Sequence, residues 1–183
     1  MIKMEKQIEN PMREIKISKL TLNVGAGKDQ RVLDRSMKLL KVLTGVEPVK
    51  TITYKRIQAW GLRSGLPIGC MITLRDQDKI RELLPRLLES KENVMGRRMF
   101  DDLGNISFGI PECIDIADYK YDPEIGILGL QATITLTRPG YRIMRRKNKS
   151  SRINKNHQIK REESIKFMKD NFGISIKEEI EEE

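Results

Sequence analysis

Three stretches far apart in this chain alternate apolar and polar residues with a period of two. In Ile15 to Val24, residues Leu20, Leu22 and Val24 oppose Lys19, Thr21 and Asn23. In Ile68 to Arg75, residues Ile68, Cys70, Ile72 and Leu74 oppose Gly69, Met71, Thr73 and Arg75. In Leu130 to Thr137, residues Leu130, Ala132, Ile134 and Leu136 oppose Gln131, Thr133, Thr135 and Thr137. A β-strand sends successive side chains to opposite faces, so each stretch predicts a half-buried strand. One face of such a sheet must be covered, and the other, rich in Thr, Asn, Gln, Lys and Arg, tolerates water.

The covering elements follow from helical spacing. Lys28 to Thr44 carries an apolar stripe at Val32, Leu33, Leu39, Leu40 and Leu43, with Gly45 as its stop and Pro48 beyond. Asp76 or Asp78 can cap a helix through Leu88, with apolar Ile80, Leu83, Leu84, Leu87 and Leu88; Pro85 should kink or end it. Glu162 to Phe172 reads as a short amphipathic helix closed by Gly173. Val49 to Tyr54 reads as a short strand, residues 91–111 as a long Gly-bearing loop, and Cys113 to Ile116 as weak strand. Strands and helices mix without regular βαβ spacing. The expected class is α+β, an antiparallel sheet backed by helices on one face, with long basic loops. Residues 1–11 are expected to form a flexible leader, 12–176 a single domain, and 177–183 an acidic tail.

Charge is distributed unevenly. Residues 138–161 hold ten Lys or Arg and no Asp or Glu, whereas the whole chain holds 35 basic against 26 acidic residues. Without that window the chain is close to neutral. A near-neutral domain with a basic arm points to a polyanion. Tyr141, His157 and several Asn and Ser within the arm suit phosphate and ribose. Its alternative is a solvated tail. Two readings of the polar strand faces also stay open: a plain solvent-facing side, or a platform whose hydroxyls and amides reach riboses and phosphates across the shallow minor groove of A-form RNA. The basic segment from Lys55 to Gly65 contains the only Trp, Trp60, which either tucks into the core or stacks on nucleic acid.

Enzymatic signals are weak. Gly25-Ala-Gly27-Lys28 between strand and helix suggests a phosphate loop, but Leu22 stands where the nucleotide motif needs its first glycine, and Asp29 follows the lysine. The turn's N–H groups could still touch a phosphate. His157 is the only histidine, Cys70 falls on an inner strand face, and the carboxylates Asp101, Asp102, Asp115, Asp118 and Asp122 match no calcium-loop spacing. The expectation is no catalysis, no metal and no cofactor. Two cysteines make no disulfide framework, although one bridge between Cys70 and Cys113 stays open. With no apolar run near ~20 residues, the chain is expected to be soluble, intracellular and free of membranes. Two rivals remain: a nucleotide-hydrolysing enzyme built on the glycine turn, and a protein-interaction module using the acidic tail and final helix.

Together, Leu20-Thr-Leu-Asn-Val-Gly25, Leu43-Thr-Gly-Val-Glu-Pro48, Gly65-Leu-Pro-Ile-Gly-Cys70, Ile72-Thr-Leu-Arg75 and Gly104-Asn-Ile-Ser-Phe-Gly109 occur in one family's order and spacing. The chain resembles the large-subunit ribosomal protein five family, which binds 5S ribosomal RNA. Arg138-Pro-Gly-Tyr-Arg142 and Lys160-Arg-Glu-Glu-Ser-Ile-Lys166 resemble its archaeal and eukaryotic form. The resemblance extends from Asn10 to about Gly173. It implies a non-enzymatic, cytoplasmic, ribosome-bound protein of the central protuberance. Its implied partners are 5S rRNA, large-subunit rRNA, peptidyl-site tRNA, ribosomal protein eighteen of the large subunit, and a small-subunit head protein. Mapped onto this chain, Asn23 and Thr73 face 5S rRNA, with Lys19, Thr21 and Arg75 on the same polar face. Lys55, Arg56, Trp60 and Arg63 form the tRNA-contacting loop. Arg138, Tyr141, Arg142, Arg145, Arg146, Lys147, Lys149, Arg152 and Lys155 form the arm on ribosomal RNA. Val46 stands where the family often has Gln, so this chain lacks that amide at the turn, and whether an RNA contact goes with it stays open.

Overall fold

The computed structural model describes residues 10–177. Residues 1–9 of the expected leader and 178–183 of the acidic tail lie outside them. Asn10 and Pro11, the leader's last two residues, belong to an ordered 3-10 turn, Pro11–Arg13, which Asn10 caps by accepting the Met12 N–H at 3.0 Å.

Strands β1 (Lys16–Gly25), β2 (Val49–Ile52), β3 (Pro67–Leu74), β5 (Asn105–Ile110) and β6 (Leu130–Thr137) form one antiparallel sheet in the order β2-β3-β1-β6-β5. The register is what the alternation demands. Leu22 pairs with Ile72 on one side and Ala132 on the other, and Leu20 pairs with Leu74 and Ile134. A slip by one residue would turn each apolar set outward. The fold is α+β, as the sequence pattern predicts.

Helices α1 (Gln30–Thr44) and α2 (Gln77–Glu89) place their apolar stripes, Leu33, Leu39 and Leu40 on one and Ile80, Leu83, Leu84, Leu87 and Leu88 on the other, in the core shared with the strands' inner faces. Asp29 caps α1 and Asp76 caps α2, each accepting a backbone N–H two residues on. Pro85 does not end α2, which runs on to Glu89. A helix-interior proline costs about 3 kcal/mol. Burial of five large apolar side chains, worth roughly 1.5–3 kcal/mol each, outweighs that cost.

Two expectations are corrected. The expected loop 91–111 contains β4 (Val94–Gly96) and β5, and the weak strand at Cys113 is a 3-10 turn, Cys113–Asp115. β4 pairs in parallel with β7 (Ser175–Lys177), so Lys177, the first residue of the expected tail, belongs to a strand. Both cysteines are free and buried.

The basic segment is also more folded than a ribbon. It contains one helical turn, α3 (Arg142–Arg145), and ends in α4 (Arg161–Phe172). Arg138 continues the inward parity of β6 and is 5% exposed; Tyr141 is 9% exposed. Gly104, at φ +80, lies so close to the end of this segment that an added Cβ would stand 2.6 Å from Ile159 Cγ2.

Candidate nucleic-acid interface

The sheet's second face is left open. Across it run rows of side chains fixed by the register: Thr73, Thr21, Thr133 and Ser107 in one, Met71, Asn23, Gln131 and Gly109 in the next, and Lys19, Thr135 and Asn105 in a third. Every one of these residues is half-buried or exposed. Ser107 and Thr133 hydroxyls lie 3.2 Å apart, and the Asn23 amide donates to Gln131 Oε1 at 3.4 Å. The face is therefore a grid of hydroxyls and amides about 4.8 Å apart from strand to strand. Asn23, Thr73, Lys19 and Thr21 lie together on it, and Arg75 follows directly on the end of β3. Ser107, Asn105, Gln131, Thr133 and Thr135 extend it; Asn105 and Ser107 escaped notice because β5 read as loop. The strict alternation of Asn105, Ser107 and Gly109 with Ile106, Phe108 and Ile110 was the available signal.

Residues 53–66 extend the β2–β3 connection as an ordered hairpin. Ile57 and Leu62 exchange reciprocal N–H···O bonds at 3.0 Å, and the Thr53 N–H and hydroxyl both donate to Leu66 O. The tip is a 3-10 turn, Gln58–Trp60, followed by Gly61 in the left-handed region. Trp60 is 68% exposed, so the core reading fails. Lys55, Arg56 and Arg63 are exposed around it. Lys28 joins them: a Cβ on Gly61 would stand 4.0 Å from Lys28 Cδ.

The basic loop, residues 142–158, has a closed neck. Arg138 Nη2 donates to Glu163 Oε1 at 2.8 Å, and its Nη1 donates to the carbonyls of His157 and Gln158. The Tyr141 hydroxyl accepts the Ile159 N–H at 2.9 Å, and the His157 ring nitrogen Nε2 lies 2.9 Å from Pro139 O. Arg138 and Tyr141, expected among the arm's RNA contacts, are buried here, and the Arg138 Nη groups and the Tyr141 hydroxyl bond within the neck. Arg142, Arg145, Arg146, Lys147, Lys149, Arg152 and Lys155 are all exposed beyond it. Burial pushes the Glu163 carboxyl up, but the Lys160 N–H, the Arg138 hydrogen bond and the Arg138 charge outweigh it and hold the group below its ordinary 4.5.

Two N–H groups of the glycine turn are already engaged within the sheet. The N–H groups of Ala26 and Gly27 both donate to Ile68 O, at 2.9 and 3.0 Å, and the Asp29 carboxylate occupies the start of α1. Burial pushes the Cys70 thiol up to about 11, so it stays protonated near neutrality and is no nucleophile. No helix among the described residues is long and apolar enough to cross a membrane.

Comparison with known proteins follows the same outline. Residues 10–63 match the family described as ribosomal protein L5, and residues 67–167 match the C-terminus of that ribosomal family. Large ribosomal subunit protein uL5 of Nanoarchaeum equitans is 44% identical over 169 residues, spanning 92% of this chain and 99% of that protein. The protein of the same name from Sulfurisphaera tokodaii is 43% identical over 175 residues, spanning 95% and 98%. That from Sulfolobus acidocaldarius is 44% identical over 174 residues, spanning 95% and 97%.

Proposed function

This chain belongs to the ribosomal protein L5 family, a structural and non-enzymatic component of the large ribosomal subunit, and we propose that its open sheet face is the docking surface for 5S rRNA. The observation that carries this reading is the uncovered row Thr73, Thr21, Thr133 and Ser107 beside Asn23 and Gln131. Short hydroxyl and amide side chains suit ribose 2′-hydroxyls and phosphate oxygens in a wide, shallow minor groove. Phosphate contacts supply affinity, and the Asn and Thr side chains set orientation.

The exposed cations of the 142–158 loop engage large-subunit rRNA. The hairpin tip, with Lys55, Arg56, Trp60 and Arg63, reaches peptidyl-site tRNA. Ribosomal protein eighteen of the large subunit and a small-subunit head protein complete the partners, in the cytoplasm, and the basic loop marks the archaeal and eukaryotic form of the family. Asn23→Ala and Thr73→Ala each remove one contact to 5S rRNA, worth about 1 kcal/mol per lost hydrogen bond. Filter binding that gave both variants wild-type affinity would reject the sheet face as the docking surface.

A further inference from the structure

The proposed function gives the sheet to 5S rRNA and the basic loop to large-subunit rRNA, yet the fold brings them to a single groove. Arg145 Nη1 donates to Ser18 Oγ at 3.2 Å across a separation of 127 residues, so the loop leans over one end of the open face. Lys19, Arg75 and Arg145 line the groove with Asn105, Ser107 and Thr135. Lys19 pairs with Thr135, which pairs with Asn105, and Arg75 directly follows Leu74, the partner of Leu20, so it flanks Lys19. Among the described residues neither Lys19 nor Arg75 makes an ion pair. The one carboxylate lining the groove, Asp101, already accepts from Asn105 Nδ2 and from the Asp102 N–H.

We infer that Arg145 of the loop and Lys19 and Arg75 of the sheet clamp one run of RNA backbone, the same 5S strand that docks on the open face. The inference rests on the RNA reading above and sharpens it by giving Arg145 to 5S rRNA instead of large-subunit rRNA. Three cations against the single Asp101 carboxylate leave the groove net positive, and a polyanion relieves the repulsion among them. The ligand is an extended backbone and no lone anion. The lining runs from β3 across β1 and β6 to β5, three strand spacings or roughly 14 Å. Hydroxyls of Ser107 and Thr135 lie along that path to meet ribose and phosphate oxygens. The loop thus closes one end of the platform and fixes the direction in which the strand leaves it.

The test is a titration of the full chain with isolated 5S RNA at several salt concentrations. Arg145→Gln, Lys19→Gln, their double variant and Lys41→Gln are compared with wild type. Lys41 lies on α1, away from the groove, and controls for the loss of one charge. Arg145→Gln should weaken binding about fivefold and lower the slope of log affinity against log salt by nearly one, the signature of one lost phosphate contact. Lys41→Gln should stay within about twofold of wild type. The double variant should lose less than the product of the two single losses, because both side chains hold one strand. Arg145 is exposed, so its variant should melt with the wild type. An Arg145→Gln variant indistinguishable from Lys41→Gln overturns the clamp while leaving 5S binding intact, as does a double variant whose loss equals that product. A wild-type chain that fails to bind 5S RNA overturns the proposed function itself.

Discussion

Arg138 and Glu163, 25 residues apart, form a 2.8 Å ion pair that closes the neck of the basic loop. The arginine side chain is 4% exposed, and the other carboxylate oxygen accepts the Lys160 N–H at 3.0 Å, so one glutamate fastens both the loop and the start of α4. Glu163→Ala strands a buried guanidinium that keeps only two carbonyl partners. Urea unfolding should show a loss of roughly 1.5–3 kcal/mol, and limited proteolysis should cut the loop faster. An unchanged denaturation midpoint would remove the pair from the account.

The same pair sets a pH dependence. Folding depresses the Glu163 pKa below its ordinary 4.5, so its stabilisation is complete above that value and is lost as pH falls through the folded pKa. The stability gap between wild type and Glu163→Gln should therefore be constant near neutrality and shrink below about pH 4.5. Denaturant melts across pH 3–6, a range set by ordinary carboxylate titration, would contradict this if the gap widened as acid was added.

Gly104→Ala tests how β5 meets the end of the basic loop. Its φ of +80 strains any L side chain, and the new methyl would collide with Ile159, which is fully buried. Strain and overpacking together should cost roughly 2–4 kcal/mol. A variant as stable as wild type would mean that the two segments do not pack as described.

Thr21→Val separates binding from folding. Thr21 lies between Thr73 and Thr133 at the centre of the open face. Valine keeps the shape and the strand preference, so stability should change by less than about 0.5 kcal/mol. Affinity for 5S RNA should drop about fivefold, the equivalent of one hydrogen bond. Equal affinities would place the RNA elsewhere.

Replacing Arg56 and Arg63 with Ala should leave 5S binding nearly unchanged and weaken tRNA retention on assembled ribosomes. Trp60→Ala should act in the same direction at little cost in stability, since that ring is mostly in solvent. A collapse of 5S binding in any of these variants would assign the hairpin to the wrong RNA.

What the sequence revealed depended on whether local periodicity and tertiary position agreed. β1, β3 and β6 were legible because half-buried strands in one sheet must alternate, and their polar sets turned out to share one face. β5 was hidden by Gly104 just before it and Gly109 within it, although its alternation is strict. β4 and β7, three residues each, carry no readable period and exist through their mutual pairing. The helix through Leu88 was legible from its apolar stripe, and Pro85 left its end open because local propensity does not weigh the burial of that stripe. Counting charge along the basic segment could not say which cations fold inward. Parity could: Arg138 follows Leu130, Ala132, Ile134 and Leu136 on the inner side. No sequence signal placed Arg145 beside Ser18, a contact made only by folding.

The most direct measurement is the affinity of the wild-type chain for isolated 5S RNA as a function of salt. The account predicts tight binding in dilute buffer, with log affinity falling linearly against log salt at a slope of several units, as expected when several phosphates are neutralised together. Failure to bind in dilute buffer, or an affinity indifferent to salt, would contradict it.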